Sequence, residues 1–309
     1  MAFEKKIFLK SSISWEHHRH GWKETIDCIK TNFECSNGIW FYSHIETEII
    51  SKIVIKKPWI AFMHNTPQHP PHLNKLYGET ICIDNFINSK TWIDSSKYCQ
   101  GLFVLSEYCK KYFEDKVKVP VNSLYHPTTT PDLKFDLLKF GSNKSKKIIL
   151  IGHWLRNFES FDQLKSPIYP KFWLECGDFD YDNIDFNSVK KLKRIDNCEY
   201  DKLLSENLVF LDFYDTSANN ALLECISRNT PVLVRKLPAV VEYLGEEYPF
   251  YFENLSEAEN KLKNIENIIK THLYLTNMNK IKFTYEYFVN SFGNSDIYKN
   301  LKKYINILL

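Results

Sequence analysis

The fold is decided by the stretch LVFLDFYDTSANNALLECISRNTPVLV, residues 208–234. It opens with an apolar run and passes through a polar loop. A segment with helical periodicity follows, which Asn229-Thr230-Pro231 stops before a second apolar run. This order predicts a strand, a loop, a helix and a further strand, joined as a right-handed parallel crossover. The stretch therefore indicates a parallel α/β fold.

Short apolar strands alternate with amphipathic helices along the rest of the chain. The other predicted strands are at 6–10, 39–42, 59–63, 101–105, 147–152 and 171–177. Two stretches interrupt the pattern, because residues 125–131 contain two prolines and residues 141–147 are polar. We therefore expect an N-terminal domain of residues 1–143 and a C-terminal domain of residues 144–309.

The composition excludes several classes of protein. The chain has 309 residues, of which 44% are hydrophobic and 25% are charged, with a net charge of +2. No overall field favours nucleic acid, and no apolar run has the length of a membrane span or the form of a signal peptide. None of the eight cysteines falls in a C-x-x-C pair. We expect reduced cysteines, no nucleic-acid partner, no membrane span and a cytoplasmic location, or the host cytoplasm for a viral chain.

The polar loop before the helix at 221 has the features of an anion site. A strand that leads through such a loop into a helix N-terminus offers free N–H groups and the positive end of the helix dipole. Glu224 follows one turn later on the same face, where its carboxylate could accept both hydroxyls of a ribose. The alternative is a Ser/Asn-capped helix with a solvated glutamate. The small residues that would let a diphosphate approach are Thr216, Ser217, Ala218, Asn219 and Asn220.

A second constellation, residues 151–157, follows the first strand of the C-terminal domain. Gly152 permits close approach of a ligand to the backbone, and Trp154 lies in the same loop. Arg156 could make charge-assisted contacts to a diphosphate and stabilise the leaving nucleotide. The alternative is a strand end that carries a solvated arginine.

Histidines cluster in the N-terminal domain. His64 ends an apolar strand, at the edge where open α/β sheets bind ligands, although a satisfied core histidine is the alternative. The loop after the first strand could line the acceptor side of a site. The spacing of the histidines and the glutamate in this loop does not match a metal-binding pattern, so no metal is predicted. The residues assigned to this acceptor side are Glu16, His17, His18 and His20.

The stretch 210–234 resembles the donor-binding core of GT-B glycosyltransferases. In that family a loop and helix end in Glu-Ala or Glu-Cys, here Glu224-Cys225, and Gly/Asn-Thr-Pro-Val follows. The continuation LPAVVEYLG, residues 237–245, is similar to the family's next helix. The resemblance implies two Rossmann-like domains that face each other across a cleft, the C-terminal one binding the donor. It also allows the final helix, 285–309, to cross back to the N-terminal domain.

The resemblance also implies roles for individual residues. Glu224 would bind the nucleotide ribose, and the 216–220 loop would face the sugar diphosphate. Arg156 stands where the family carries a basic residue, and His64 would lie in the cleft near the transferred sugar. Many retaining members carry two glutamates spaced E-x7-E, but Thr216 stands at the first position here. The adjacent Asp215 could substitute for that glutamate.

We therefore expect a transferase that moves a sugar from a UDP-, GDP- or TDP-linked donor to a hydroxyl of a glycan or small molecule. It would need neither a metal nor a cofactor besides the nucleoside-diphosphate sugar, its co-substrate. The catalytic candidates are His64, Arg156 and Asp215.

Two other readings stay open. Asp178 and Asp180 form a D-x-D pattern, which in GT-A glycosyltransferases holds a metal and the diphosphate. Such an enzyme would lose its activity in EDTA. The second alternative is a non-catalytic glycan- or nucleotide-binding module, suggested by Thr216 in place of a glutamate.

Overall fold

The computed structural model describes residues 3–11, 21–70, 73–74, 78, 82–175 and 186–302. Several sequence predictions lie outside these ranges. They are the acceptor-side residues Glu16, His17, His18 and His20, the D-x-D residues Asp178 and Asp180, and the last part of the final helix, 303–309.

The chain forms two compact units, each built around its own parallel sheet. The first unit comprises residues 1–127 and 281–309, and the second comprises residues 128–280. The alternation of strands and helices predicted this α/β architecture, and the prediction is confirmed.

Within the described residues, the sheet of the first unit has five parallel strands in the sequential order β1-β2-β3-β4-β5. They are β1 (Ile7–Ser11), β2 (Ile39–Tyr42), β3 (Trp59–Phe62), β4 (Cys99–Val104) and β5 (Val121–Ser123). The helices between them are α1 (Trp22–Phe33), α2 (Ile45–Ile50), α3 (Ile83–Asn88), α4 (Lys90–Ser96) and α5 (Glu107–Glu114). The four strands predicted in this half are all present. Ser106 caps α5 as expected, because its hydroxyl accepts the N–H of Cys109 at 3.2 Å.

The part of the second unit that the structure describes holds a sheet of six parallel strands in the order β11-β10-β9-β6-β7-β8. They are β6 (Ile148–Ile151), β7 (Lys171–Leu174), β8 (Lys190–Leu192), β9 (Leu208–Leu211), β10 (Val232–Arg235) and β11 (Tyr251–Phe252). The helices are α6 (Leu137–Ser142), α7 (Phe158–Gln163), α8 (Asn197–Ser205), α9 (Asn220–Arg228), α10 (Pro238–Leu244), α11 (Leu255–Lys263) and α12 (Ile265–Asn277). Stacked rings of Phe161, Phe210 and Phe252 form part of its core.

The two units divide between residues 127 and 128, ahead of the boundary expected near 143. Main-chain hydrogen bonds give the reason. The N–H of Phe135 donates to the Arg228 carbonyl at 2.8 Å, and that of Asp136 donates to the Ser205 carbonyl at 3.0 Å. These bonds attach the segment before 143 to the second unit, although its sequence has the polar character of a linker.

The C-terminal segment from residue 281 belongs to the first unit. A 3₁₀ turn (Ile281–Phe283) leads into α13 (Tyr285–Asn294) and α14 (Asp296–Lys299). The ring of Phe292 on α13 lies 4.7 Å from Phe33 and 4.8 Å from Phe103. The single final helix that the sequence predicted is interrupted at Ser295, whose hydroxyl accepts the N–H of Tyr298 and starts a new helix.

No helix in the described ranges has both the length and the apolar character needed to cross a membrane. The cysteines at 28, 35, 82, 99, 109, 198 and 225 are free thiols. Burial raises the pKa of Cys28 to about 12. That thiol therefore behaves as a small apolar side chain and not as a nucleophile.

Candidate functional site

The strand order of the second sheet marks one place at its carboxyl edge. β6 lies between β7 and β9, because the chain leaves β6 for β7 and β8 and then returns to β9 on the other side. Open parallel sheets bind ligands where the strand order reverses in this way. The loops that end these two strands are residues 152–157 and 212–219, and the second leads into α9. Both were singled out from the sequence, and the structure brings them together.

Backbone contacts join the two loops. The N–H of Asn157 donates to the Asp212 carbonyl at 2.9 Å, and that of Tyr214 donates to the Leu155 carbonyl at 3.1 Å. Arg156 and Phe213 between them form an antiparallel bridge. Where the strand order reverses, the two loops are therefore held together by backbone hydrogen bonds and do not act as independent segments.

Arg156 lies within this edge and is only 3% exposed. Its Nε donates to the Ile151 carbonyl at 2.9 Å and its Nη1 to the Trp154 carbonyl at 3.1 Å. Its Nη2 donates to Oδ1 of Asn219 at 3.1 Å, and the guanidinium lies 4.4 Å above the ring of Phe213. The alternative of a solvated arginine at a strand end is thus wrong. The side chain is a fixed, buried cation, and its role towards a diphosphate stays a prediction.

The β6 loop adopts two unusual backbone conformations beside this cation. Gly152 has φ +81°, and a Cβ placed on it would lie 3.2 Å from Nη2 of Arg156. Leu155, which is buried, has φ +54°, a conformation costly for a branched side chain. Trp173 holds the loop from the next strand, since its Nε1 donates to the Gly152 carbonyl at 3.2 Å. Glycine at 152 therefore has two local causes, the positive φ and the guanidinium beside it, and the approach of a ligand to this backbone stays a prediction.

The N-terminus of α9 is built on Asn219. Its Oδ1 accepts the N–H of Leu222 at 3.1 Å, so one oxygen both caps the helix and receives Arg156. Ahead of it, Asp215 accepts the N–H of Thr216 at 2.8 Å. Asp215, Thr216 and Ser217 are buried, whereas Ala218, Asn219 and Asn220 are half-buried. The accessible part of the loop is therefore the part next to the helix, where the first N–H groups of a helix meet anions.

Glu224 follows in the second turn of α9 and is 4% exposed, so it is not the solvated glutamate of the alternative reading. Burial and then the Glu224 carboxylate raise the pKa of Cys225, while the guanidinium groups of Arg228 and Arg156 lower it. The carboxylate and both cations therefore lie within electrostatic range of one thiol.

A buried ion pair next to this edge was missed from the sequence. Asp212, fully buried at the end of β9, accepts both Nε and Nη2 of Arg235, the latter at 2.8 Å. That bidentate contact raises the pKa of Arg235. The sequence signal was that Asp212 and Arg235 each follow an apolar run, at 208–211 and 232–234. The parallel register of Leu211 with Val234 then places the two residues side by side.

The carboxyl edge of the first sheet holds His64. Its Nε2 lies 2.9 Å from the Ser43 carbonyl and therefore carries the proton. Its ring stacks on His44 with centroids 3.9 Å apart and meets the edge of Trp22 at 4.4 Å. Burial lowers the pKa of His64 more than the nearby Glu46 raises it. The imidazole is thus neutral at neutral pH, with the lone pair on Nδ1.

Glu46 on α2 is the residue of this edge that sequence reasoning missed. Its Oε1 accepts the backbone N–H groups of His64 and of Asn65, the latter at 2.8 Å. Its Oε2 is buried and has no hydrogen-bond partner within the part of the chain that the structure describes, and the same holds for Oγ of Ser11 on β1. Nothing in the local sequence HIETEII, residues 44–50, reveals this burial.

Comparisons with known proteins bear on the fold. No protein-family model matches the chain, and no curated protein matches it by sequence. Solved structures do. HepE from Anabaena, in complex with UDP-glucose, is 11% identical with a TM-score of 0.61, covering 94% of this chain and 98% of that one. WaaG, a glycosyltransferase involved in lipopolysaccharide biosynthesis, is 13% identical with a TM-score of 0.54, covering 92% and 86%.

Sucrose-phosphate synthase from Thermosynechococcus elongatus is a further match, 11% identical with a TM-score of 0.57. It covers 76% of this chain, which spans 66% of the synthase chain. Together with the two parallel sheets, these likenesses define the class: the chain has the GT-B glycosyltransferase fold of two Rossmann-like units.

Proposed function

We propose that this chain is a glycosyltransferase that moves a sugar from a nucleoside-diphosphate sugar to a hydroxyl of a glycan or small molecule. The observation that carries the proposal is the edge where β6 and β9 end. There a capped helix N-terminus, a fixed guanidinium and a buried glutamate lie together. The helix N-terminus and the guanidinium can bind a diphosphate, and the glutamate can accept hydrogen bonds from a ribose. One of the similar structures, HepE, was solved with UDP-glucose.

In this proposal α9 binds the donor nucleotide. Glu224 accepts the two ribose hydroxyls, and the N–H groups of the first turn of α9 meet the diphosphate together with residues 216–220. Asn219 fixes the loop for this task, since its side chain caps the helix at 3.1 Å. Gly152 and Trp154 form the opposite wall, from the loop after β6.

Arg156 supplies positive charge for the leaving diphosphate. At least three of its five N–H groups donate to protein acceptors, which hold the guanidinium in one orientation. A preorganised cation stabilises charge that develops in the transition state without reorganisation at the moment of reaction. The positive end of α9 adds to it, so the proposal requires no metal ion.

His64 and Asp215 are the remaining catalytic candidates. A neutral His64, protonated on Nε2, has a basic Nδ1 that can accept a proton or a hydrogen bond from a hydroxyl. Asp215 has the weaker claim, because its Oδ1 holds the Thr216 N–H. We assign it the shaping of the loop that meets the donor sugar. The acceptor-side residues 16–20 remain a prediction from the sequence alone.

A thermal-shift screen against UDP, GDP, TDP and their sugars tests the proposal. A ligand at about 100 times its Kd stabilises the folded protein by about 2.7 kcal/mol, so the correct nucleotide will stand out. We expect one nucleotide series to raise the Tm and to do so equally in EDTA. If no nucleotide raises it, the donor site is wrong. Loss of the response in EDTA favours the metal-dependent alternative with Asp178 and Asp180.

A second measurement separates an enzyme from a binding module. With the donor identified, release of free nucleoside diphosphate is followed over hours with and without candidate acceptors. A transferase hydrolyses its donor slowly even when water is the only acceptor, whereas a binding module releases nothing. Binding without release would favour the module that Thr216 suggests.

A further inference from the structure

A basic and apolar surface lies after α2 in the first unit, in the sequence ISKIVIKK, residues 50–57. Ile50, Ile53 and Val54 are 49%, 51% and 37% exposed, while Ile55, which follows Val54, is buried. Ile55 is fixed there because its N–H donates to Oγ of Ser95 at 3.0 Å. The segment is thus anchored by one apolar residue and presents three others to solvent.

The helix end explains why Ile53 is exposed. The N–H of Lys52 donates to the Ile49 carbonyl at 3.0 Å and that of Ile53 to the Glu48 carbonyl at 3.1 Å, which is the Schellman pattern. In this motif the residue at the position of Ile53 normally packs on the one at the position of Glu48. A half-buried carboxylate cannot provide that contact, so Ile53 has no apolar partner within its own motif.

Lys52 occupies the left-handed position of the motif, with φ +58°. Glycine or asparagine is favoured there, because a Cβ is disfavoured at positive φ. A lysine at this position weakens the turn and puts an ammonium group beside the exposed Ile53. The stability of the turn therefore does not explain why position 52 is a lysine.

α4 extends the surface. Ser95 binds the segment through Ile55 and also accepts Nε1 of Trp59 through its carbonyl at 2.9 Å. On the same helix Ile93 is 50% exposed, and Lys90 is exposed at its start. Ile50–Lys57 together with Lys90 and Ile93 is called the basic apolar surface below.

The residues of this surface carry charges of one sign, and the carboxylates that border it include Glu48 and Asp94. Lys52, Lys56 and Lys57 are exposed, and residues 49–57 contain no acidic residue. The nearest carboxylate on α4, Asp94, pairs with Lys97 at 2.8 Å. Lys97 and then Lys90 and Lys56 hold the pKa of Asp94 below its usual value, so all three cations lie near it. The chain's net charge of +2 conceals this local excess.

We propose that the basic apolar surface docks the protein on an anionic lipid bilayer. Branched aliphatic side chains ringed by lysines enter the boundary between headgroups and acyl chains, while the ammonium groups meet the anionic lipids. A second copy of the chain is disfavoured as the occupant, because two such surfaces would repel each other. This inference stands on observations separate from the proposed donor site.

A second exposed stripe provides the comparison. Ile265, Ile269 and Leu273 lie at i, i+4 and i+8 on α12 and are 49%, 37% and 50% exposed. The charged residues between them are Glu266 and Lys270, one of each sign. The α12 stripe thus matches the basic apolar surface in apolar exposure but not in charge.

Vesicle flotation tests the proposal, with phosphatidylcholine vesicles that contain about one third phosphatidylserine and with pure phosphatidylcholine. We expect the wild-type protein to float with the anionic vesicles and to be released by high salt. The variant Lys52→Gln/Lys56→Gln should bind about 30-fold more weakly, at about fivefold per lysine. Ile53→Ser/Val54→Ser should lose at least about tenfold, and Ile265→Ser/Leu273→Ser should bind as the wild type does.

Lys52→Gly separates docking from a structural role. Glycine relieves the left-handed strain, so this variant should unfold at a higher temperature while it loses about fivefold in vesicle binding. Failure of the wild-type protein to float, equal binding to neutral vesicles, or equal loss in the α12 variant would overturn the proposal. So would concentration-dependent dimerisation that Ile53→Ser/Val54→Ser abolishes. Donor binding, measured by thermal shift in the same variants, should stay unchanged.

Discussion

The charged side chains at the carboxyl edges of the two sheets differ in their hydrogen-bond partners. In the second unit Arg156 has three protein acceptors, and Asp212 is paired bidentately with Arg235. In the first unit one oxygen of Glu46 is buried without a hydrogen-bond partner among the described residues. An edge with satisfied charges is preorganised, as a site for a charged donor requires. The comparison teaches that the edges differ in how these particular charged groups are held, Arg156 and Asp212 by several hydrogen bonds each and Glu46 through one oxygen.

The largest effect is expected for Arg156→Ala. A preorganised donor to a leaving diphosphate contributes about 2.7–4 kcal/mol, so kcat should fall on the order of 100- to 1000-fold. Arg156→Lys should restore only part of it, because lysine lacks the planar fork that reaches three acceptors. Steady-state kinetics with the identified donor, and thermal unfolding of both variants, measure this. A folded Arg156→Ala protein with wild-type kcat would remove the electrostatic role.

Asp212→Asn and Glu46→Gln together test the pairing contrast directly. Removal of one partner of a buried ion pair costs up to about 3–5 kcal/mol, and the lower end applies because Arg235 is partly exposed. Glu46→Gln keeps the oxygen that accepts from His64 and Asn65, so it should cost less than about 1 kcal/mol. Urea unfolding at neutral pH measures both. Equal costs would show that pairing does not distinguish the edges.

Glu224→Ala should weaken nucleotide binding by about 1.5–3 kcal/mol, the range for hydrogen bonds to a charged group. Isothermal titration with the preferred nucleoside diphosphate gives the change in Kd. Glu266→Ala, an exposed glutamate of the same unit, is the matched control and should leave the Kd unchanged. Unaltered affinity in a folded Glu224→Ala protein excludes the ribose role.

Gly152→Ala should destabilise the second unit by about 1–2 kcal/mol, the cost of a Cβ in the left-handed region. The new methyl group would also lie 3.2 Å from Nη2 of Arg156 and press on it. Denaturant unfolding gives the free energy, and donor turnover reports whether Arg156 has moved. Gly141→Ala is the control, since a Cβ there has no atom within 4 Å.

The last effect depends on pH and concerns Lys280, which donates to Oδ1 of Asn229 at the end of α9. Burial, and then the charge of Lys134, lower the pKa of Lys280 from 10.5 to about 8. Between pH 8 and 10.5 the unfolded chain holds a proton that the folded chain has released, so this group's contribution to stability rises with pH. Lys280→Met removes the titrating group. The free energy of unfolding of this variant, minus that of the wild type, should therefore decrease as the pH rises through that interval. A constant difference between the two proteins would contradict the lowered pKa.

The sequence by itself determined the features that depend on neighbouring residues. Apolar runs specified the strands, the pattern at 208–234 specified the β9-α9-β10 crossover, and Ser106 and Asn219 cap helices as their residue types favour. The resemblance over residues 210–234 also indicated the GT-B fold, which the solved structures confirm. Such patterns are readable because their interactions span only a few positions in the chain.

Only the tertiary structure decided which of these polar residues are buried and paired. Arg156 meets Asn219 across 63 positions of sequence, and His64 meets Glu46 across 18. The unit boundary at 127/128 likewise depends on Phe135 reaching the Arg228 carbonyl. Burial is a property of the assembled fold, because desolvation of a charged group depends on every element packed around it. For this reason the sequence left a solvated Arg156 and a solvated Glu224 open as alternatives, whereas both side chains are buried in the folded protein.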